Sequence, residues 1–301
     1  MKTRIDPSAS SAPSAPSAPS ASSDSADTAT PAEPPARERR QRVQSAQTGM
    51  TVLKGLANLG GRASLTALAA HIGESPAKVH RYLASLIDEG LVAQESAAQQ
   101  YFLGVEAMLI GLAAMRQVDP IRIAEPSLIR LRESLDVTCF VAVMGNKGPT
   151  IVRFEEPGLP VTVNVRVGSV MPMLWSATGR ALLGLLDEPR VRAMAEEELA
   201  AAPADLRAQL DRDDPIGALR REVQAAGCAV VRDTNLKGIS AVAAPLYDYT
   251  GRICAVLTAL GATGGFDASM DGPIAVAVRH EAQVASGLLG YGAAPPPGGA
   301  V

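Results

Sequence analysis

The sequence predicts a multidomain α+β chain: a small N-terminal module of three helices closed by a hairpin, a linker helix, and a larger domain on a largely antiparallel sheet. Three observations carry this. Residues 1–41 cannot build a core: 25 of the first 36 are Ser, Ala or Pro, and Ser11 to Pro19 repeats Ser-Ala-Pro with no apolar face to bury. Residues 42–104 show three helical periods followed by two short β-rich runs. Beyond about residue 120, β-rich runs parted by Gly, Pro and Asn turns neighbour helical stretches, the pattern of a sheet with helices gathered at its ends. The expected limits are a disordered tail at 1–41, the module at 42–104, a linker helix at 105–119, the larger domain at 120–291 and a Pro/Gly-rich disordered tail at 292–301. A chain of 301 residues suits about two domains.

Composition removes several classes. No apolar run approaches the roughly 18 residues that a membrane helix needs, so no membrane partner is expected and the chain reads as cytoplasmic. Cys139, Cys228 and Cys254 are widely spaced and form no CxxC, which suits a reducing compartment and gives neither a disulfide framework nor a zinc site. Net charge is −2 over residues 1–36, +3 over 37–104 and −4 over 105–301. A basic head on an acidic body is the distribution of a small polyanion-binding module.

In the module, residues 45–59 set Met50, Leu53, Leu56 and Ala57 on one helical stripe, with Val52 and Leu59 flanking it, and Gly60-Gly61 ends that helix. Ser64 then caps a short apolar helix through Ile72, on which His71 reads as structural. Gly73 to Pro76 makes a tight turn, with Ser75 as N-cap and Pro76 at the first helical position. In the third helix Val79, Leu83, Leu86 and Ile87 share the inner face, leaving Ala77, Lys78, Arg81, Ala84 and Ser85 outward and His80 on the border. Gly90 to Gln94 and Gln100 to Gly104 read as a two-stranded wing. Two helices across a short Gly-containing turn, the second outwardly basic, describe a helix-turn-helix whose recognition helix enters a major groove. A helical docking module with a merely solvated charged face is the competing reading.

The larger domain begins after an apolar helix at Glu106 to Gln117, with a second helix from Ile121 to Leu135. Strands are expected at 139–143, 150–154, 161–165, 239–247 and 252–260, and helices at 176–186, 190–199, 215–226 and 270–290. An enzyme would need a constellation the residues do not offer. His280 is this domain's one histidine, and no G-x-S-x-G, Walker A loop, G-x-G-x-x-G or His-based metal spacing appears, so no catalytic residue, metal or cofactor is assigned. The carboxylates of 196–198 and 211–214 read as solvated helix faces and ends.

Four stretches, Arg42-Val43-Gln44-Ser45, Ser64 to Ala69, Val79 to Leu86 and Gly90-Leu91-Val92, resemble the DNA-binding domain of IclR-family transcriptional regulators. The recognition helix departs from the usual Ser-Thr pair before its valine, having Ala77-Lys78. The resemblance continues through Val165 to Gly168, Pro172, Ser176 to Leu183 and Ala241 to Asp248, and so covers residues 42–291. It implies a GAF-like effector domain in which a small organic acid sits against the sheet beside a helix N-terminus. Carried over by position, it implies an effector site at Ala177, Thr178, Val231, Ala241, Thr258 and Leu260, with Leu174 and Trp175 beside it. Val231 stands where an acidic residue is usual, Ala241 where Cys or Ser occurs and Leu260 where Ser occurs. That is a less polar pocket, suited to an aromatic or branched acid.

The expectation is therefore a regulator that binds double-stranded DNA at a palindromic operator as a homodimer or homotetramer, controlled by a small organic acid. DNA contacts are expected from Ser64, Thr66, Ser75, Ala77, Lys78, His80, Arg81, Ser85 and Gln100. The alternative is a small-molecule-binding enzyme or sensor with an appended helical interaction module.

Overall fold

A computed structural model describes residues 43–95, 97–158 and 165–292. Both terminal tails, apart from Gly292, and most of the strand expected at 161–165 lie outside these. The module begins with α1 (Gln44–Asn58), short strand β1 (Arg62–Ser64), α2 (Leu65–Ile72) and α3 (Pro76–Asp88), and ends in the hairpin β2 (Val92–Glu95) and β3 (Gln100–Leu103). Strand β1 was not expected; it pairs antiparallel with β3, placing Ser64 opposite Gln100, so the wing is three-stranded in the order β1-β3-β2. Three residues that end on a helix cap are too few to show a period.

The α1 face also differs from expectation. Val52 and Leu56 are buried with Gly49 and Gly55, while Met50 and Ala57 are exposed. Bulk misled the sequence reading: a Cβ on Gly55 would collide with Ile72 and come within 3.2 Å of Leu68, so α1 approaches α2 through its glycine. Val52, Leu56, Leu68, Val79, Leu83, Val92 and Tyr101 form the module's core, each large aliphatic contributing roughly 1.5–3 kcal/mol on burial. Ser64 caps α2 as expected, accepting from the Ala67 N–H at 3.2 Å. Ser75 holds the N-cap position of α3 but its side chain makes no capping bond; Pro76 alone sets that start. His71 is exposed, because the inner face of α2 is completed by Leu68 and Ala69.

Helix α4 (Val105–Met115) buries none of its residues. Helix α5 (Pro120–Leu135) follows, capped by Asp119, and the larger domain continues with β4 (Thr138–Gly145), β5 (Gly148–Glu155), α6 (Ala177–Leu185), α7 (Pro189–Ala201), the single turn α8 (Ala204–Arg207), α9 (Pro215–Ala226), β6 (Ala229–Arg232), β7 (Ile239–Tyr247), β8 (Ile253–Ala262) and α10 (Pro273–Leu288). All five strands pair antiparallel, in the order β5-β4-β8-β7-β6. Helices cover both faces rather than gathering at the ends. Phe140, Ala142, Ala243, Val256 and Leu260 face α6, α7 and α9; Cys139, Val141, Val242, Leu257 and Ala259 face α5 and α10. That is the strand period of two with both faces buried, which reads as the continuous apolar runs of β4, β7 and β8.

Candidate functional site

Two places gather the residues singled out in the sequence. The first is the outer face of α3. The buried stripe Val79, Leu83 and Leu86 fixes the helix's rotation, so Ala77, His80, Arg81, Ala84 and Ser85 are exposed, with Ser75 and Thr66 exposed near the turn and Ser64 and Gln100 half-buried. Their availability differs. Lys78 donates to Glu74 Oε1 at 2.7 Å, which neutralises part of its charge. Ser64 Oγ lies 3.1 Å from Thr66 Oγ1. Arg81, among the described residues, has no carboxylate partner.

The charge of this face departs from expectation. The described residues of the module hold four cations, Lys54, Arg62, Lys78 and Arg81, and four carboxylates, Glu74, Asp88, Glu89 and Glu95. The excess of +3 belongs to Arg37, Arg39, Arg40 and Arg42 with Glu38, outside the described residues. Arg62 is also committed, bonded to Glu95 at 2.9 Å and lying over the Phe102 ring.

The second place is a cavity between α6 and the sheet. Its floor follows from register: Val231, Ala241 and Leu260 are cross-strand neighbours on β6, β7 and β8, and the next row on that face brings Ala243, Thr258 and Phe140 together. Its roof is Trp175, Ser176, Ala177 and Thr178 where α6 begins. Ser176 caps α6 by accepting from the Gly179 N–H at 2.9 Å, and its hydroxyl donates to the Pro172 carbonyl at 2.6 Å. Gly179 permits this fold of the chain, since a Cβ there would stand 2.6 Å from Met173 Cα. The hydroxyls of Thr178 and Thr258, both fully buried, are 2.9 Å apart and tie roof to floor.

Of the expected effector-site residues, Trp175, Ala177, Thr178, Val231, Ala241, Thr258 and Leu260 line this cavity. Leu174 does not: its side chain is fully buried in the core, because the chain reverses its facing between 174 and 175. Phe140, Val165, Met171, Ser176, Asn235, Leu236 and Ile239 complete the lining. Ile239 was legible, standing two residues before Ala241 on the same face; Asn235 and Leu236 come from a loop with no period.

The cavity is small, about 40 Å³, and among the described residues no lining side chain is charged. Among the described residues nothing accepts from the backbone N–H groups of Ala177 and Thr178, which form the first turn of α6. Such a turn carries partial positive charge and suits an anion. The cysteines sit apart from this chemistry: burial pushes the Cys139 thiol up to about 12 and Cys254 up to about 11. Glu198, expected to be solvated, is half-buried and bonded to the backbone of residues 173 and 174. Among the described residues no cluster suits a metal ion, and no helix is long and apolar enough to cross a membrane.

Comparison with known proteins bears on both places. The family model for the IclR helix-turn-helix domain matches residues 45–96, and that for the C-terminal part of the bacterial transcriptional regulator IclR matches residues 112–286. The crystal structure of Pseudomonas aeruginosa HmgR is 38% identical, covers 83% of this chain and 99% of its own, and superposes with a TM-score of 0.77. The HTH-type transcriptional regulator BhcR of Paracoccus denitrificans is 25% identical over 202 residues, 66% of this chain and 71% of BhcR. The Pca regulon regulatory protein of Pseudomonas putida is 28% identical over 195 residues, 64% of this chain and 65% of that protein.

Proposed function

The chain belongs to the IclR family of bacterial transcriptional regulators, and on that premise we propose that it reads a palindromic operator through α3 and answers to an organic acid with an apolar body held beneath α6. The cavity carries this reading. Its carboxylate-binding end is the first turn of α6, and the rest is apolar floor from Phe140, Val231, Ala241 and Leu260. That floor offers the keto group of a pyruvate-sized acid no polar partner. An aromatic or branched acid covers it.

At about 40 Å³ the cavity is well below the roughly 150 Å³ that accommodates benzene. Binding therefore displaces rim side chains, for which Met171 and Leu236 are placed, and the bound shape differs from the free one. A ligand that prefers one of two shapes shifts their populations, which is what a switch requires.

On the DNA, Arg81 is assigned the base contact, with Ala77, His80 and Ser85 beside it in the groove. Lys78, Ser64, Thr66 and Ser75 serve phosphates, and Gln100 serves from the wing. The domain limits follow as 42–104, 105–119 and 120–291. Homo-oligomerisation is supported by α4, on which Val105, Met108, Leu109, Ile110, Leu112 and Met115 are all exposed, a surface that water disfavours and a second copy would cover. The protein acts where the DNA lies, in the cytoplasm.

Titration calorimetry of the full chain with benzoate and with pyruvate tests the effector class. Benzoate is expected to bind at least tenfold tighter; pyruvate binding tighter would overturn it.

A further inference from the structure

We infer that Glu198 of α7 and Arg180 of α6 are positioning residues for the roof of the cavity, clamping residue 174 at its N–H and its carbonyl so that Trp175 and Ser176 meet the ligand. The segment 172–176 belongs to no helix or strand, so its backbone groups need side-chain partners. Glu198 supplies two as a fork: Oε2 accepts from the Met173 N–H at 2.6 Å and Oε1 from the Leu174 N–H at 3.2 Å. Arg180 Nε donates to the Leu174 carbonyl at 2.8 Å. Both ends of residue 174 are thus held by charged side chains from two different helices, and the next two residues line the cavity.

Neither charge is there for solubility. Burial raises the Glu198 pKa even against its two backbone bonds, and burial lowers that of Arg180, with Glu222 acting the other way. Taking both groups partly out of water is unfavourable in itself, and charge-assisted bonds to a backbone are the stronger and more directional kind. Neither Glu198 nor Arg180 is among the residues lining the cavity; they act through the backbone of residue 174 between them.

Trp175, the chain's one tryptophan, directly follows the clamped residue and is nearly buried, so its fluorescence reports the roof without any ligand. In Glu198→Gln the amide keeps the shape but sets a donor against one N–H. The full-length variant is expected to show red-shifted emission and stronger acrylamide quenching, with its thermal midpoint within about 3 °C of wild type, because a costly buried charge has gone. Benzoate affinity should fall about tenfold, as for one broken buried bond. Arg180→Lys, which puts the Cε methylene where Nε donates, should repeat the optical signature from the other side. Wild-type emission and quenching in both variants would overturn the inference. So would exposure of Trp175 only in step with a collapsed midpoint, which is what a merely structural role gives. The benzoate arm rests on the effector reading above and the fluorescence arm does not: a wild-type chain that ignores benzoate counts against that reading alone.

Discussion

Thr178 on α6 and Thr258 on β8 meet hydroxyl to hydroxyl at 2.9 Å, eighty residues apart in sequence and both closed to water. Each is the other's only side-chain partner among the described residues. Removing one strands the other: Thr258→Val should cost about 1–3 kcal/mol, read as a shifted denaturant midpoint at constant slope. The double variant Thr178→Val with Thr258→Val should recover much of that loss, since no orphan hydroxyl remains. A double variant as unstable as the sum of the singles would show that the bond is not what couples them.

Arg81→Ala should abolish sequence-specific retention in a gel shift while leaving oligomer size unchanged. Retained specific binding would remove Arg81 from the interface.

Lys78 offers a gain rather than a loss. Glu74→Gln releases it from its 2.7 Å ion pair and should tighten DNA binding several-fold, with a salt dependence steeper by roughly one counterion. Unchanged affinity and slope would mean that Lys78 does not face phosphate.

Gly179→Ala should destabilise the larger domain by about 1–3 kcal/mol, the usual penalty of overpacking. The new Cβ meets backbone atoms of residues 172 and 173 rather than a side chain that could turn away. Thermal unfolding measures it, and a neutral variant would mean that the roof segment yields easily.

Glu281 links α10 to α5. Its burial favours the neutral acid, but bonds from Arg130, at 2.6 Å, and from Ser127 outweigh this and hold its pKa below the ordinary value. A lowered pKa gives stability that is complete above the unfolded-state value, near 4.3, and is lost as pH falls through the folded value. Arg130 is half exposed, which screens the pair to roughly 1 kcal/mol. Glu281→Gln should therefore destabilise at pH 7 by about that amount and converge on wild type in acid; an equal deficit at both pH values would locate the effect in packing instead.

The fold is legible in the sequence where periodicity and caps are strong. The starts of α2 and α3 and the bounds of β7 were met within a residue or two, because Ser64 and Pro76 mark those helix starts and β7 is one apolar run. It is not legible where facing is decided by the neighbour: α1 turns its glycines inward, and only the position of Leu68 and Ile72 says so. In the cavity, positional resemblance found seven lining residues because register ties Val231, Ala241 and Leu260 together. Leu174 was misassigned because an irregular segment has no period from which to read facing. Glu198 was missed for a related reason, since a carboxylate bound to a distant backbone looks, in sequence, like any other on a helix.

The sheet's alternation reaches beyond stability. Each floor residue has as its chain neighbour a residue of the opposite layer: Phe140 beside Val141, Ala241 beside Val242, Thr258 beside Ala259. Inheritance can thus edit the two layers separately. Substitutions at three or four alternate positions can reshape the cavity, while the interleaved residues preserve the layer against α5 and α10.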